Sequence, residues 1–265
     1  GFGNTMLISL SERSLSENIP FGVNELEEMI DQRLINIDFQ PVVQSQNRKV
    51  CGYEILGRGF SPKLSPNPTE LFRIAESVGL EGELSMLMRN MGLEIASRNK
   101  LQGMLLIKVH SKELKDCDKL LNNMTDLRKR YPKALLMLEI SEQAMTDLEQ
   151  LSEFNCGLDR LGIRYAFDDF GVGQSRLIEL VTARPHLVKF DRALIENIHE
   201  ADSSRLSVLM QLHDMVKELR IKTLGACIST REEYQGCKPI GFDMYQGNYF
   251  GIASPVELLN QDISE

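Results

Sequence analysis

The stretch Tyr165-Ala166-Phe167-Asp168-Asp169-Phe170-Gly171-Val172-Gly173 organises this chain. A short β-type run delivers two adjacent carboxylates into a glycine-rich turn, and a helical pattern follows from near Ser175. Two neighbouring Asp at the end of a buried strand repel each other and are costly without a cation nearby. Hard divalent cations take oxygen ligands, and two of them about 4 Å apart can share a carboxylate. The plainer alternative is that Asp168 ends the strand and Asp169 caps the next helix. The pair alone does not decide between these.

Outward from that stretch, strands alternate with helices. Upstream, helices near residues 69–78 and 82–98 precede a strand at Met104–Val109, and a helix near 117–130 precedes one at Ala134–Ile140. A helix near 147–161 leads into Arg164–Phe167 itself. Downstream come a short helix after Gln174, a strand at His186–Phe190, a long helix at Ser203–Leu219 and a strand at Lys222–Ile228. A short helix near 231–236, a strand at Phe242–Tyr245 and a last helix from Pro255 complete the series. Such alternation indicates parallel βα units.

Before the first unit, Val23, Leu26, Met29 and Ile30 recur at helical spacing. Two strands follow, Ile37–Val43 and Lys49–Leu56, joined by so few residues that an antiparallel hairpin is expected. With that hairpin the strands number about eight, which points to a closed (β/α) barrel. Glu54, Lys108, Glu139, Asp168, Asp169, Lys189 and Gln246 all fall at C-terminal strand ends, the rim that carries chemistry in such barrels.

Composition narrows the function. The 265 residues are enough for a large α/β domain, and a 42% hydrophobic fraction is ordinary for a globular protein. Residues 1–21 are Ser-rich and read as a linker or the tail of a preceding domain, with 22–265 as the barrel domain. A net charge of −8 argues against polymeric nucleic acid as partner, although a small anionic ligand could still be held locally. No apolar run approaches the roughly 18 residues of a membrane span. The five scattered Cys form no disulfide framework or zinc pattern and suit a reducing cytoplasm. The four His show no metal-binding spacing, so any metal would be held by oxygen.

Six ordered motifs resemble the EAL domain family, the cyclic di-GMP phosphodiesterases, over roughly residues 22–260. Phe39-Gln40-Pro41 resembles the family's F-Q-P, Glu54-Ile55-Leu56-Gly57-Arg58 its E-A-L-x-R, and Glu139-Ile140-Ser141-Glu142 its E-I-T-E. Asp168 to Gly173 resembles D-D-F-G-T-G, Lys189-Phe190-Asp191 resembles K-I-D, and Gln246 to Gly251 resembles Q-G-Y-x-F-G. The resemblance implies a modified (β/α)8 TIM-like barrel with an antiparallel first strand. It implies Glu54, Glu139 and Asp168 as ligands of one Mg²⁺ or Mn²⁺ ion and Asp168 with Asp169 at a second. Lys189 would hold the attacking water, Gln246 would support that network, and Glu142 would brace the loop after Asp169. Gln40, Arg58 and Asp191 would contact guanine or phosphate. Singly, Arg58 could instead pair with Glu54, Lys189 with Asp168, and Gln246 could cap its strand.

The pattern breaks at three positions. The family's metal-ligating Asn is Lys108 here, and the Glu pair of its A-E-G-V-E-T segment is Ala226 and Ser229. These changes imply a degenerate EAL domain, with weak or no hydrolysis, that serves as a cyclic di-GMP sensor. No metal would be bound if Lys108 fills its place. A signalling protein is a further expected partner, and a homodimer is compatible. The rivals are a working phosphodiesterase with an altered metal site and a pseudo-enzyme that only docks partners.

Overall fold

The structure, a computed structural model, describes residues 22–141, 148–171, 180–182 and 184–259. Among these, eight strands close a barrel in chain order: β1 Ile35–Gln44, β2 Val50–Gly59, β3 Met104–Lys108, β4 Leu135–Ser141, β5 Arg164–Phe170, β6 Leu187–Phe190, β7 Lys222–Gly225 and β8 Met244–Gln246. β1 runs antiparallel to both of its neighbours, β2 and β8. Every other pair is parallel. The expected barrel with a reversed first strand is therefore what the chain forms.

Helices α1 Val23–Asp31, α2 Pro68–Val78, α3 Glu81–Arg98, α4 Cys117–Arg130, α5 Leu148–Arg160, α6 Arg192–Ile195, α7 Ser203–Glu218 and α8 Arg231–Cys237 connect or precede these strands. Several starts are written locally. Asn67 accepts a hydrogen bond from the Thr69 amide at 3.0 Å, and Pro68 fills the first helical position. Thr230 and Glu233 form a reciprocal capping box at α8.

Alternation along the strands divides the apolar side chains into two compartments. Phe39, Ile55, Leu105, Leu138, Phe167 and Val188 point outward and pack under the helices. Val42, Leu106, Met137, Ala166, Leu187 and Leu224 point inward and plug the barrel. The plug is what lifts the next inward residues to the mouth.

Several boundaries differ from the sequence reading. β7 ends at Gly225 rather than Ile228, because Cys227 turns to φ +62° and breaks the ladder. β5 runs on to Phe170 with an irregular register after Phe167, where Asp169 adopts φ +58°. β2 extends to Gly59 because β1 continues beside it. β8 begins at Met244, and Phe242 packs instead against Phe190 and His213. Pro255 opens a 3-10 turn, Val256–Leu258, rather than an α-helix. Of the helix expected after Gln174, residues 180–182 are described and are helical, and the rest lies outside the described residues. Among the described residues no helix is long and apolar enough to cross a membrane.

Candidate functional site

Two residues beyond the apolar plug, each strand contributes one more inward side chain. Parallel strands supply Glu54, Lys108, Glu139, Asp168, Lys189, Ala226 and Gln246, and the reversed β1 supplies Gln40. Seven of these eight are polar; the eighth, just past the end of β7, is Ala226. Glu54, Glu139, Asp168, Lys189 and Gln246 are all buried, whereas Lys108 keeps about half of its side chain in solvent (52%).

Lys189 is the hub. Its ammonium lies 2.6 Å from Glu139 Oε1, 3.2 Å from Glu54 Oε2 and 3.3 Å from Asp168 Oδ1. Lys108 closes the outer side, 3.0 Å from Asp168 Oδ2 and 3.2 Å from Glu54 Oε1. Gln246 donates to Glu54 Oε2 at 2.6 Å and to Gln40 Oε1 at 3.3 Å. Gln40, opposite Glu54 in the ribbon, donates in turn to Asn248 Oδ1 and to the Gly251 carbonyl.

The electrostatics follow from burial set against these contacts. Burial alone would raise the Glu54 carboxyl, but the Lys189 and Lys108 ammoniums draw it down to about 2. Asp168 is likewise held low by the same two lysines against its burial. Glu139 goes the other way: complete burial and the Glu54 charge push it up to about 8, against the pull of Lys189. Lys108 is raised, first by Glu54, and Lys189 is raised well above its ordinary value by the three acids despite its burial. Asp169 is raised by burial and by the charge of Asp168.

The strand ends are fixed from outside the barrel. Arg89 of α3 donates to the Lys108 carbonyl at 3.2 Å and pairs with Glu113 at 2.8 Å, with its side chain almost wholly buried. The residue after Gln246 is Gly247 at φ +149°, where a Cβ would meet the Ile228 backbone. Ile228 and Tyr249 complete this junction by donating amide hydrogens to the Gln246 and Ile228 carbonyls. β8 and the segment holding Ala226 are therefore sewn together.

A cleft lined by Lys108, His110, Ser111, Glu139, Ser141, Asp168 and Asp169 opens beside the cluster. Arg58 is not joined to Glu54; its Nε lies 3.3 Å from Asp38 Oδ2, further out along the same face of the ribbon. Asp191 caps α6 by accepting from the Ala193 amide at 2.7 Å. Ser229 is exposed at the rim, its hydroxyl donating to the Cys227 carbonyl. Glu142 lies outside the described residues. Sequence reading missed Asp38 and Asn248. Asp38 is signalled by its position two residues before Gln40 on one face, and Asn248 by its place inside the Gln246–Gly251 motif.

The family features set out above imply Mg²⁺ or Mn²⁺, and the donor set can be tested for it. Both oxygens of Glu54 and both of Asp168 contact an ammonium or amide nitrogen, and the Lys108 ammonium sits between the two carboxylates. Glu139 Oε2 has no hydrogen-bond partner. Among the described residues no three Asp, Glu, His or Cys converge to hold an ion. As placed, these side chains do not fit a divalent cation.

Fold and site together define an α/β barrel with an acid–lysine mouth. The EAL domain family matches residues 23–253, and the chain belongs to it. It is 27% identical over 248 residues to the signaling protein YkoW of Bacillus subtilis, covering 91% of this chain and 31% of that protein. It is 26% identical over 248 residues to the probable cyclic di-GMP phosphodiesterase PdeN of Escherichia coli, covering 88% of this chain and 46% of that one. The chain thus spans less than half the length of either relative. The crystal structure of the Xanthomonas citri FimX EAL domain in complex with c-diGMP superposes with a TM-score of 0.80 at 19% identity, over 92% of this chain and 97% of that one. At that identity the likeness establishes the fold.

Proposed function

We propose that this EAL domain binds cyclic di-GMP and hydrolyses it slowly or not at all, acting as a sensor of the nucleotide. The observation that carries this reading is Ala226: just past the end of β7 the mouth presents a methyl group where the family motif has a carboxylate. The buried carboxylate that follows in sequence, Glu233, is committed to the amides of Asn197, Ser229 and Thr230 and is not directed at the mouth. General-base assistance is worth about 10²–10⁴-fold, so its loss predicts slow turnover at any nucleotide occupancy. Gln40, Arg58 and Asp191 remain at the rim as donors and acceptors for guanine or phosphate, with Arg58 offering the charged fork. Lys189 and Gln246 hold the acids in one arrangement.

A working phosphodiesterase, yielding linear pGpG, is the second reading. It is favoured by the convergence of Glu54, Glu139, Asp168, Lys189 and Gln246, and by the relative PdeN, described as a probable cyclic di-GMP phosphodiesterase. Steady-state assay with cyclic di-GMP and Mn²⁺ separates the two. The sensor reading expects turnover at least a hundredfold below the ordinary enzyme value of about 10 s⁻¹. A rate near 1 s⁻¹ or above establishes the phosphodiesterase instead.

A further inference from the structure

We infer that Lys108 holds the place of a divalent ion between Glu54 and Asp168, so that the mouth is closed by the protein's own ammonium. The inference deepens the nucleotide-site reading above and rests on it. Its first support is position. Nζ lies 3.2 Å from Glu54 Oε1 and 3.0 Å from Asp168 Oδ2, bridging carboxylates that come from β2 and β5. A hard cation shared by those two strands would need the same oxygens.

The second support is what remains once Lys108 is in place. Glu54 Oε2 is taken by Lys189 and Gln246, and Asp168 Oδ1 by Lys189. An incoming ion would therefore have to displace an ammonium from hydrogen-bonding distance or sit against one, and like charges this close repel strongly in a partly dry site.

The third support is anchorage. The Lys108 carbonyl accepts from Arg89, a buried guanidinium that also pairs with Glu113 and donates to Asn123 Oδ1 and Ser85 Oγ. The backbone that carries Lys108 is thus fixed at the strand end. About half of the Lys108 side chain is exposed, and it lines the cleft. One ammonium can then neutralise two acids on its inner side and meet an anionic ligand on its outer side. Arg at this position would keep the charge, whereas Asn would remove it and supply a carbonyl oxygen.

The test is titration of Mn²⁺, without nucleotide, into the parent chain, Lys108→Asn and Lys108→Arg, by calorimetry and by thermal unfolding of the same samples. Lys108→Asn is expected to bind Mn²⁺ at least tenfold more tightly than the parent, and its unfolding midpoint should rise with Mn²⁺. Lys108→Arg should match the parent. The midpoint remains readable if Lys108→Asn folds less stably without the ion. If Lys108→Asn binds Mn²⁺ no better than the parent, or Lys108→Arg binds as well as Lys108→Asn, the inference is overturned. Cyclic di-GMP titration in EDTA is a separate arm. Absence of nucleotide binding there, with the Mn²⁺ result intact, removes the nucleotide reading and leaves the role of Lys108 standing.

Discussion

The Lys189 ammonium and Glu139 Oε1 are 2.6 Å apart, with 4% and 0% of their side chains exposed. Neither group could be buried alone at acceptable cost. Together with Glu54 and Asp168 they make a connected polar cluster inside an otherwise apolar barrel.

Lys189→Met tests that dependence. Removing the ammonium leaves the buried Glu54 and Asp168 charges without their shared inner partner, a loss worth about 3–5 kcal/mol. Urea unfolding of the variant should show a loss of that size. A loss under about 1 kcal/mol would mean that the acids rearrange or take up protons without penalty.

Arg58→Ala should weaken cyclic di-GMP binding by roughly tenfold to a hundredfold, the value of one charged hydrogen bond. Among the described residues its side chain is joined to Asp38 alone, so the fold should tolerate the change and the effect should appear in affinity rather than in unfolding midpoint. Equal affinities for parent and variant would remove Arg58 from the ligand site.

Gly247→Ala concerns the joint behind Gln246. The backbone there has φ +149°, and an added Cβ would run into the Ile228 main chain, which has no side-chain freedom with which to yield. A destabilisation of about 1–3 kcal/mol is expected from overpacking, before backbone strain is counted. Thermal unfolding checks it, and an unchanged midpoint would show that the β7 and β8 exits are not tightly joined.

Asp243 supplies a pH prediction at the opposite end of the barrel. Burial alone would raise its carboxyl, but hydrogen bonds from Lys222, the Thr223 amide and Lys217 hold it at about 2. The unfolded chain binds that proton more readily, at about 3.8. The contribution to stability is therefore complete above that value and fades as pH falls from about 4 to about 2. Allowing for partial exposure, it amounts to about 1–2 kcal/mol. Asp243→Asn should differ from the parent by that much in urea at pH 6, and by about half as much at pH 3. A gap that stays constant between the two pH values would contradict the assignment.

Much of this was legible in the sequence. The short connection between the first two strands and the regular alternation afterwards specify a barrel with one reversed strand, because each is a local signal. The mouth was legible for the same reason: Glu54, Lys108, Glu139, Asp168, Lys189 and Gln246 each end an apolar run. What the sequence did not disclose is pairing between elements distant along the chain. Arg58 joins Asp38 rather than Glu54, a choice made by the diagonal neighbours of the β1–β2 ribbon. Nor did it show that Lys108 touches Glu54 and Asp168 together, since those residues meet only when the barrel closes. Strand ends were misjudged where single residues with positive φ, Asp169 and Cys227, alter a ladder. Apolar runs do not record such turns.

The measurement closest to the central claim is calorimetry of cyclic di-GMP binding, first in EDTA and then with Mn²⁺, followed by product analysis of the same sample. The account predicts a binding heat in EDTA, little change on adding Mn²⁺, and recovery of the cyclic dinucleotide intact. Binding that appears only with Mn²⁺, accompanied by linear product, would contradict it.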